Sequence, residues 1–155
     1  MTRLSVTLAF FVILAGGIVP ALAPSARAAE QRIQCPRELP ASALRFAETP
    51  AGWTGFIPYR FPLNSAQFMS GPPSDMAISM GEEVKLDKHR RQVRYAGLNE
   101  GIQYKGGKWM ACFYGGGNDA ILSRRLADDT SECVVTYTSY TRNRLDGTNI
   151  DIRCK

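Results

Sequence analysis

Few residues in this chain are equipped for bond-making chemistry. Its single histidine, His89, sits among cations in Lys88-His89-Arg90-Arg91, with no nucleophile or orienting acid spaced to work with it, as a catalytic constellation requires. Neither a G-x-S-x-G elbow nor an S-x-x-K pair occurs, so the common serine nucleophiles are absent. Two acid pairs, Glu82-Glu83 and Asp128-Asp129, are adjacent in sequence. On a strand such neighbours point to opposite faces, so neither forms a working pair by itself. A small carboxylate-dependent hydrolase, the enzymatic alternative, needs two acids converging from distant segments. His89 and the acid pairs read as solvated surface groups, and no catalytic residue is assigned.

The thiols point to covalent structure instead. Four cysteines, Cys35, Cys112, Cys133 and Cys154, make an even set, which in an exported protein reads as two disulfides. Zinc sites use closely spaced ligands such as C-x2-C or H-x3-H; here the closest cysteines are 21 residues apart and one histidine is available. No metal site and no cofactor are expected.

Export itself is written at the N-terminus. Arg3 precedes an almost wholly apolar run from Leu4 to Leu22, and Ala26-Arg27-Ala28 places small residues where a signal peptidase inspects them. Residues 1–28 are therefore expected to be a cleavable signal peptide, with the mature chain starting at Ala29. The rival is an uncleaved anchor, since the run approaches the ~20 residues that span a bilayer. Gly16, Gly17, Pro20 and Pro24 interrupt it, and no cysteine stands at the cleavage point to take a lipid. Residues 29–155 then form one domain by length. Cleavage removes Arg3 and Arg27 and no acid, leaving 17 Lys+Arg against 14 Asp+Glu, a formal net charge of +3. That is too mild for a nucleic-acid binder.

The elements that must position these residues are mostly strands. Gln31–Cys35 is a short strand stopped by Pro36, and Trp53–Tyr59 is aromatic-rich and reads as extended. Phe61 and Leu63 alternate briefly, and Ala66–Ser70 reads as a separate strand ended by Gly71-Pro72-Pro73. Arg91, Val93 and Tyr95 alternate with Gln92 and Arg94, suiting a half-exposed strand. Lys108–Tyr114 and Cys133–Tyr140 are strong strands, Gly115–Asn118 is a hairpin turn, Ala120–Arg124 returns, and Asn149–Cys154 closes the chain. The expected fold is a mostly β antiparallel domain with a C-terminal meander.

If Cys133–Tyr140 and Asn149–Cys154 form a hairpin, Cys133 lies nearly opposite Cys154. Opposed Cβ atoms at ~4.5–5.5 Å approach the ~3.5–4.5 Å that a disulfide needs. That register favours Cys133–Cys154 with Cys35–Cys112. The nested set, Cys35–Cys154 with Cys112–Cys133, stays open and requires the first and last strands to be neighbours.

Two surfaces suit recognition. Lys85, Lys88, Arg90, Arg91 and Arg94 form the one localised basic segment, which would meet an acidic partner, anionic lipid headgroups or cell-wall phosphates, or serve as a solubilising face beside Glu82, Glu83 and Asp87. The Gly115–Asn118 turn is a second, because loop tips carry recognition. Trp53, Trp109, Phe113, Tyr114 and Tyr137 would form a platform or, in so small a domain, the core; core is expected.

The ordered series Cys35-Pro36, Pro50-Ala51-Gly52-Trp53, Gly71-Pro72-Pro73, Trp109-x-Ala111-Cys112-x-Tyr114, Leu122-Ser123-Arg124-x-Leu126 and Cys133-x-Val135-Thr136-Tyr137 resembles a family of small exported proteobacterial four-cysteine proteins with no established activity. The resemblance spans nearly the whole mature chain and implies export and two disulfides but no mechanism. A tryptophan expected near Val93–Leu98 is missing, and residues 140–148 diverge.

Taken together, the expectation is a periplasmic or secreted binding or inhibitor-type protein. It would act on an unknown protein partner in the cell envelope, such as a cell-wall hydrolase or an antibacterial toxin, by analogy with exported inhibitors of similar build. No membrane association is expected after cleavage, and a structural envelope component is the other non-enzymatic alternative. Intact-mass analysis of periplasmic protein is expected to give a chain starting within a residue of Ala29; a mass retaining Leu4–Leu22 would mean an anchor.

Overall fold

Cys133–Ser139 shows why this sequence folds as sheet: Cys133, Val135 and Tyr137 are buried while Val134, Thr136 and Thr138 are half-exposed, the two-residue period of a strand with one wet face. The computed structural model describes residues 30–100, 104–139 and 148–155; the expected signal segment and part of the divergent 140–148 stretch lie outside them. Nine strands are described: β1 (Gln31–Ile33), β2 (Glu38–Leu39), β3 (Phe61–Met69), β4 (Glu82–Lys85), β5 (Arg90–Tyr95), β6 (Trp109–Tyr114), β7 (Ala120–Arg125), β8 (Cys133–Ser139) and β9 (Thr148–Cys154). They form two antiparallel sheets, ordered β1-β9-β8-β5-β4 and β2-β3-β6-β7. The mostly β expectation holds.

The core lies where the inner faces meet. Ala66 and Phe68 of β3 and Met110 of β6 pack with Val135 and Tyr137 of β8, Ile150 and Ile152 of β9, Ile33 and Tyr95. Full burial of each large apolar side chain contributes ~1.5–3 kcal/mol. Strand β6 is buried along nearly its whole length. Met110 enters this core, Cys112 and Tyr114 pack with Leu39, and Ala111 and Phe113 join Met69 on the other face. A strand buried on both faces reads as an unbroken apolar run, which Trp-Met-Ala-Cys-Phe-Tyr is.

Both disulfides follow the favoured pairing. Cys133 and Cys154 are directly opposed on β8 and β9 and bonded, with Cα atoms 4.1 Å apart. Cys35, between β1 of one sheet and β2 of the other, bonds Cys112 on β6. The bridges span 21 and 77 residues, so chain entropy alone would make the longer worth more, ~4.5 against ~3.3 kcal/mol.

Two expectations about strands are corrected. Phe61–Met69 is one strand, because Leu63 pairs Tyr114 while Ser65 pairs Phe113, leaving Asn64 as the extra residue of a bulge. The bulge shifts the inward phase from Phe61 and Leu63 to Ala66 and Phe68, which breaks the alternation a sequence scan relies on. The C-terminal meander is likewise divided: β6 and β7 belong to one sheet, and β8 and β9 to the other. The crossing segment, 126–132, is held by the buried Leu126 and by Lys108. The Lys108 Nζ donates to the carbonyls of Asp128 and Thr130, both at 2.7 Å.

The sheets are also joined by a polar contact. β2 reaches only Phe61 and Pro62, leaving the Ala66 backbone to the Tyr137 hydroxyl. That hydroxyl accepts from the Ala66 N–H at 3.3 Å and donates to the Ala66 carbonyl at 2.5 Å. The Tyr114 hydroxyl, by contrast, is buried with no hydrogen-bond partner, and burial pushes its pKa up to about 12. These two tyrosines should respond oppositely to loss of the oxygen. Tyr137→Phe is expected to lose ~1–3 kcal/mol, because a buried N–H and C=O are orphaned. Tyr114→Phe should be neutral or slightly stabilising. Denaturant unfolding of both variants is the check, and equal destabilisation would contradict the assignment.

Candidate functional site

The basic segment folds as the β4–β5 hairpin, paired from Glu82↔Arg94 to Lys85↔Arg91. Asp87 builds its turn: one carboxylate oxygen accepts from the backbone N–H groups of His89 (2.8 Å) and Arg90 (2.9 Å), the other from Arg90 Nε (2.7 Å). The Arg90 side chain, helped by the His89 N–H, holds the Asp87 carboxyl below its ordinary range.

Most of the positive charge is answered locally. Arg91 lies 3.5 Å from Glu83 and stacks 3.9 Å over the Tyr137 ring. Arg94 bonds Glu132 at 2.5 Å, and Lys155 reaches the other Glu132 oxygen at 2.8 Å. Hydrogen bonds from Arg94 and then Lys155 hold the Glu132 carboxyl below its usual value. Among the described residues, Lys85 and Lys88 have no carboxylate within ion-pair distance. The accessible charge of the segment thus gathers at the hairpin turn.

The two expected recognition surfaces flank one opening. Asn64, Gln67, Arg91, Asn118, Tyr137 and Ser139 line a polar cleft of about 350 Å³. Asn118 reaches it from the β6–β7 turn, where it adopts φ 61° after Gly115 at φ 83°. Asn64, the bulge residue, donates to Asn118 Oδ1 at 2.9 Å. Strand β3 therefore fixes this turn beside the hairpin that carries Arg91.

The acid pairs do not converge there. Glu83 engages Arg91, Asp128 engages Arg125 at 3.0 Å, and none of Glu82, Glu83, Asp128 or Asp129 lines the cleft. His89 is exposed at the turn. No group of three or more metal-ligating side chains occurs among the described residues.

The aromatic residues split. Phe113, Tyr114 and Tyr137 are buried, and Trp109 packs against the Met69–Ala111–Phe113 cluster. Trp53 is the correction, being 75 % exposed on a segment without strand structure. Sequence reading also missed the exposure of Phe46, Phe56 and Tyr59. The available signal was the density of Pro50, Gly52, Gly55 and Pro58, which denies this stretch a period and a ladder.

Two sheets stapled by disulfides, with the arginines of the basic hairpin tied into local pairs, define a rigid β scaffold. Residues 58–155 match the family described as type VI secretion system Tli immunity protein, and the chain belongs to that family. An immunity protein is an inhibitor-type protein that blocks a toxin. No curated protein and no solved structure matches the chain. The match corrects the expectation of a family without a role. It spans β3 to β9 and three of the four cysteines.

The depressed carboxyls carry a pH consequence. Ion pairing by Asp87 and Glu132 stabilises the fold above the ordinary carboxylate range near ~4, and this is lost as pH falls through their lower folded values. Asp151 behaves alike: burial opposes ionisation, but bonds from Arg153 and Arg32 prevail. The unfolding midpoint is expected to drop below about pH 4. Glu132→Gln should lower it at neutral pH and flatten that drop; an unchanged profile would remove Glu132 from the account.

Proposed function

We propose that this protein is a periplasmic immunity protein that blocks a type VI secretion toxin by occupying it, without catalysis. The observation that carries the reading is the family match over residues 58–155. Two disulfides suit an oxidising compartment, and the apolar N-terminus suits delivery there. The mature protein, residues 29–155, acts as one stapled scaffold that keeps its partner surface in shape.

Within this reading the basic hairpin supplies steering. Lys85 and Lys88, with Arg90, Arg91 and Arg94 behind them, draw an acidic surface of the toxin towards the cleft and the Gly115–Asn118 turn. Such charge acts chiefly on the association rate and is screened by salt.

A killing assay between kin tests this. Recipients lacking the protein are expected to die beside a sister strain with an active type VI system, and to survive when the protein is restored with residues 1–28. Restoring residues 29–155 alone, without the leader, should not protect; equal protection would refute a periplasmic site of action. Single changes of Glu82, Glu83, Asp128, Asp129 and His89 should leave protection within about twofold, since surface substitutions rarely alter stability by more than ~0.5 kcal/mol. Loss of protection from one of them with the fold intact would reinstate a catalytic reading.

A further inference from the structure

Between the short 3-10 turn at Ala41–Ala43 and β3, residues 44–60 run as a strap without strand structure. Its side chains are unusual for a surface: Trp53 is 75 % exposed, Phe56 78 % and Tyr59 77 %. Large exposed apolar side chains gathered on one segment, two of them (Trp53 and Phe56) lining the same cleft, mark a site of contact.

The strap is held rather than loose. Its first residue, Leu44, packs against the Leu39–Cys112–Tyr114 cluster, as does Phe61 just beyond its end. That cluster contains the Cys35–Cys112 bridge, so both feet stand on the stapled part of the second sheet. Mid-strap, the Trp53 N–H donates to the Pro50 carbonyl at 3.0 Å, with Gly52 at φ 83°, a tight turn that favours glycine there. The Phe46 ring sits on Gly55, leaving no room for a Cβ. Pro50 and Pro58 restrict the chain further. A cleft of about 570 Å³ opens between the arms, lined by Leu44, Phe46, Trp53 and Phe56 among others.

We infer that this strap is the anchoring surface for the toxin, with Trp53, Phe56 and Tyr59 inserting into an apolar cleft of that protein. The inference rests on the immunity reading and adds to it the residues that hold the partner. Binding energy concentrates in aromatic and Arg anchors, and a pre-ordered strap loses little entropy on docking. Each aromatic side chain buries ~150–250 Å², so three of them supply on the order of half the ~800 Å² each partner contributes to a standard interface.

A protein cleft fits better than an anionic lipid surface. Lipid-binding segments carry roughly four to eight Lys/Arg beside their anchors. The strap holds only Arg45, Glu48 and Arg60 as charges, and Arg60 is paired with Glu38 at 3.1 Å. The anchors are thus apolar and nearly uncharged, distinct from the basic hairpin.

The test uses full-length protein, leader included, in the kin-killing assay with graded expression. For the variant carrying Trp53→Ala, Phe56→Ala and Tyr59→Ala, the expression needed for half-maximal survival is expected to rise about tenfold or more. Phe56→Arg alone should act in the same direction, and guards against a triple variant that fails to accumulate. Periplasmic level and unfolding midpoint, both expected to match wild type, separate lost contact from lost folding. Protection by both variants at wild-type expression would overturn the strap proposal while leaving immunity intact; failure of the wild-type protein to protect would instead overturn the immunity reading. Purified protein is also mixed with vesicles of phosphatidylethanolamine and phosphatidylglycerol at 3:1. No binding is expected, and wild-type binding lost in the triple variant would assign the strap to lipid and refute a protein partner.

Discussion

The hydroxyl of Tyr137 reaches from the middle of β8 to the backbone of Ala66 on the facing sheet, accepting from its N–H and donating to its carbonyl. Strand β2 covers only the first two residues of β3, so this edge would otherwise present unpaired groups inside the core, where each costs free energy. One side chain thereby closes a gap in one sheet while fixing the distance between both. Arg91 stacks on the same ring and lines the polar cleft with it. The geometry of the hairpin and of the cleft therefore follows from how Tyr137 is held.

The disulfides act on the same problem at two scales. Cys133–Cys154 locks the register of β8 against β9, where a slip of one residue would turn Val135 and Ile152 to solvent. Cys35–Cys112 joins the link between the sheets to the centre of β6. A stapled domain tolerates an exposed apolar strap better than a marginal one would, because its folded state does not depend on burying those residues. Phe46, Trp53, Phe56 and Tyr59 are then available for contact rather than core.

Charge is arranged with similar economy. Glu132 answers both Arg94 and the C-terminal Lys155, tying β5 to the chain end, and Asp151 answers Arg32 and Arg153 across β1 and β9. Pairs this exposed contribute modest stability each, and among the described residues they take up Arg90, Arg91 and Arg94 of the basic hairpin but not Lys85 or Lys88. What remains at the hairpin turn suits long-range attraction, and the strap suits short-range anchoring. Those roles differ in their salt dependence and so can be separated in solution.

The sequence by itself determined the chemistry that depends on residue type and short-range pattern. Four cysteines with one histidine meant disulfides, period-two runs meant strands, and the Cys133–Cys154 register could be read because a hairpin brings near residues opposite each other. The same reasoning stopped where a feature depends on residues far apart. The bulge at Asn64 shifts the alternation, so β3 looked like two pieces until β6 was beside it. Nothing local shows that β8 leaves the strand before it for β5, since that choice rests on the buried Leu126, the carbonyls held by Lys108 and the Tyr137–Ala66 contact. Trp53 looked like core because an apolar type is usually buried. Only tertiary structure decided that it stands outside, since burial is a property of what surrounds a residue, and the described fold leaves Trp53 largely uncovered.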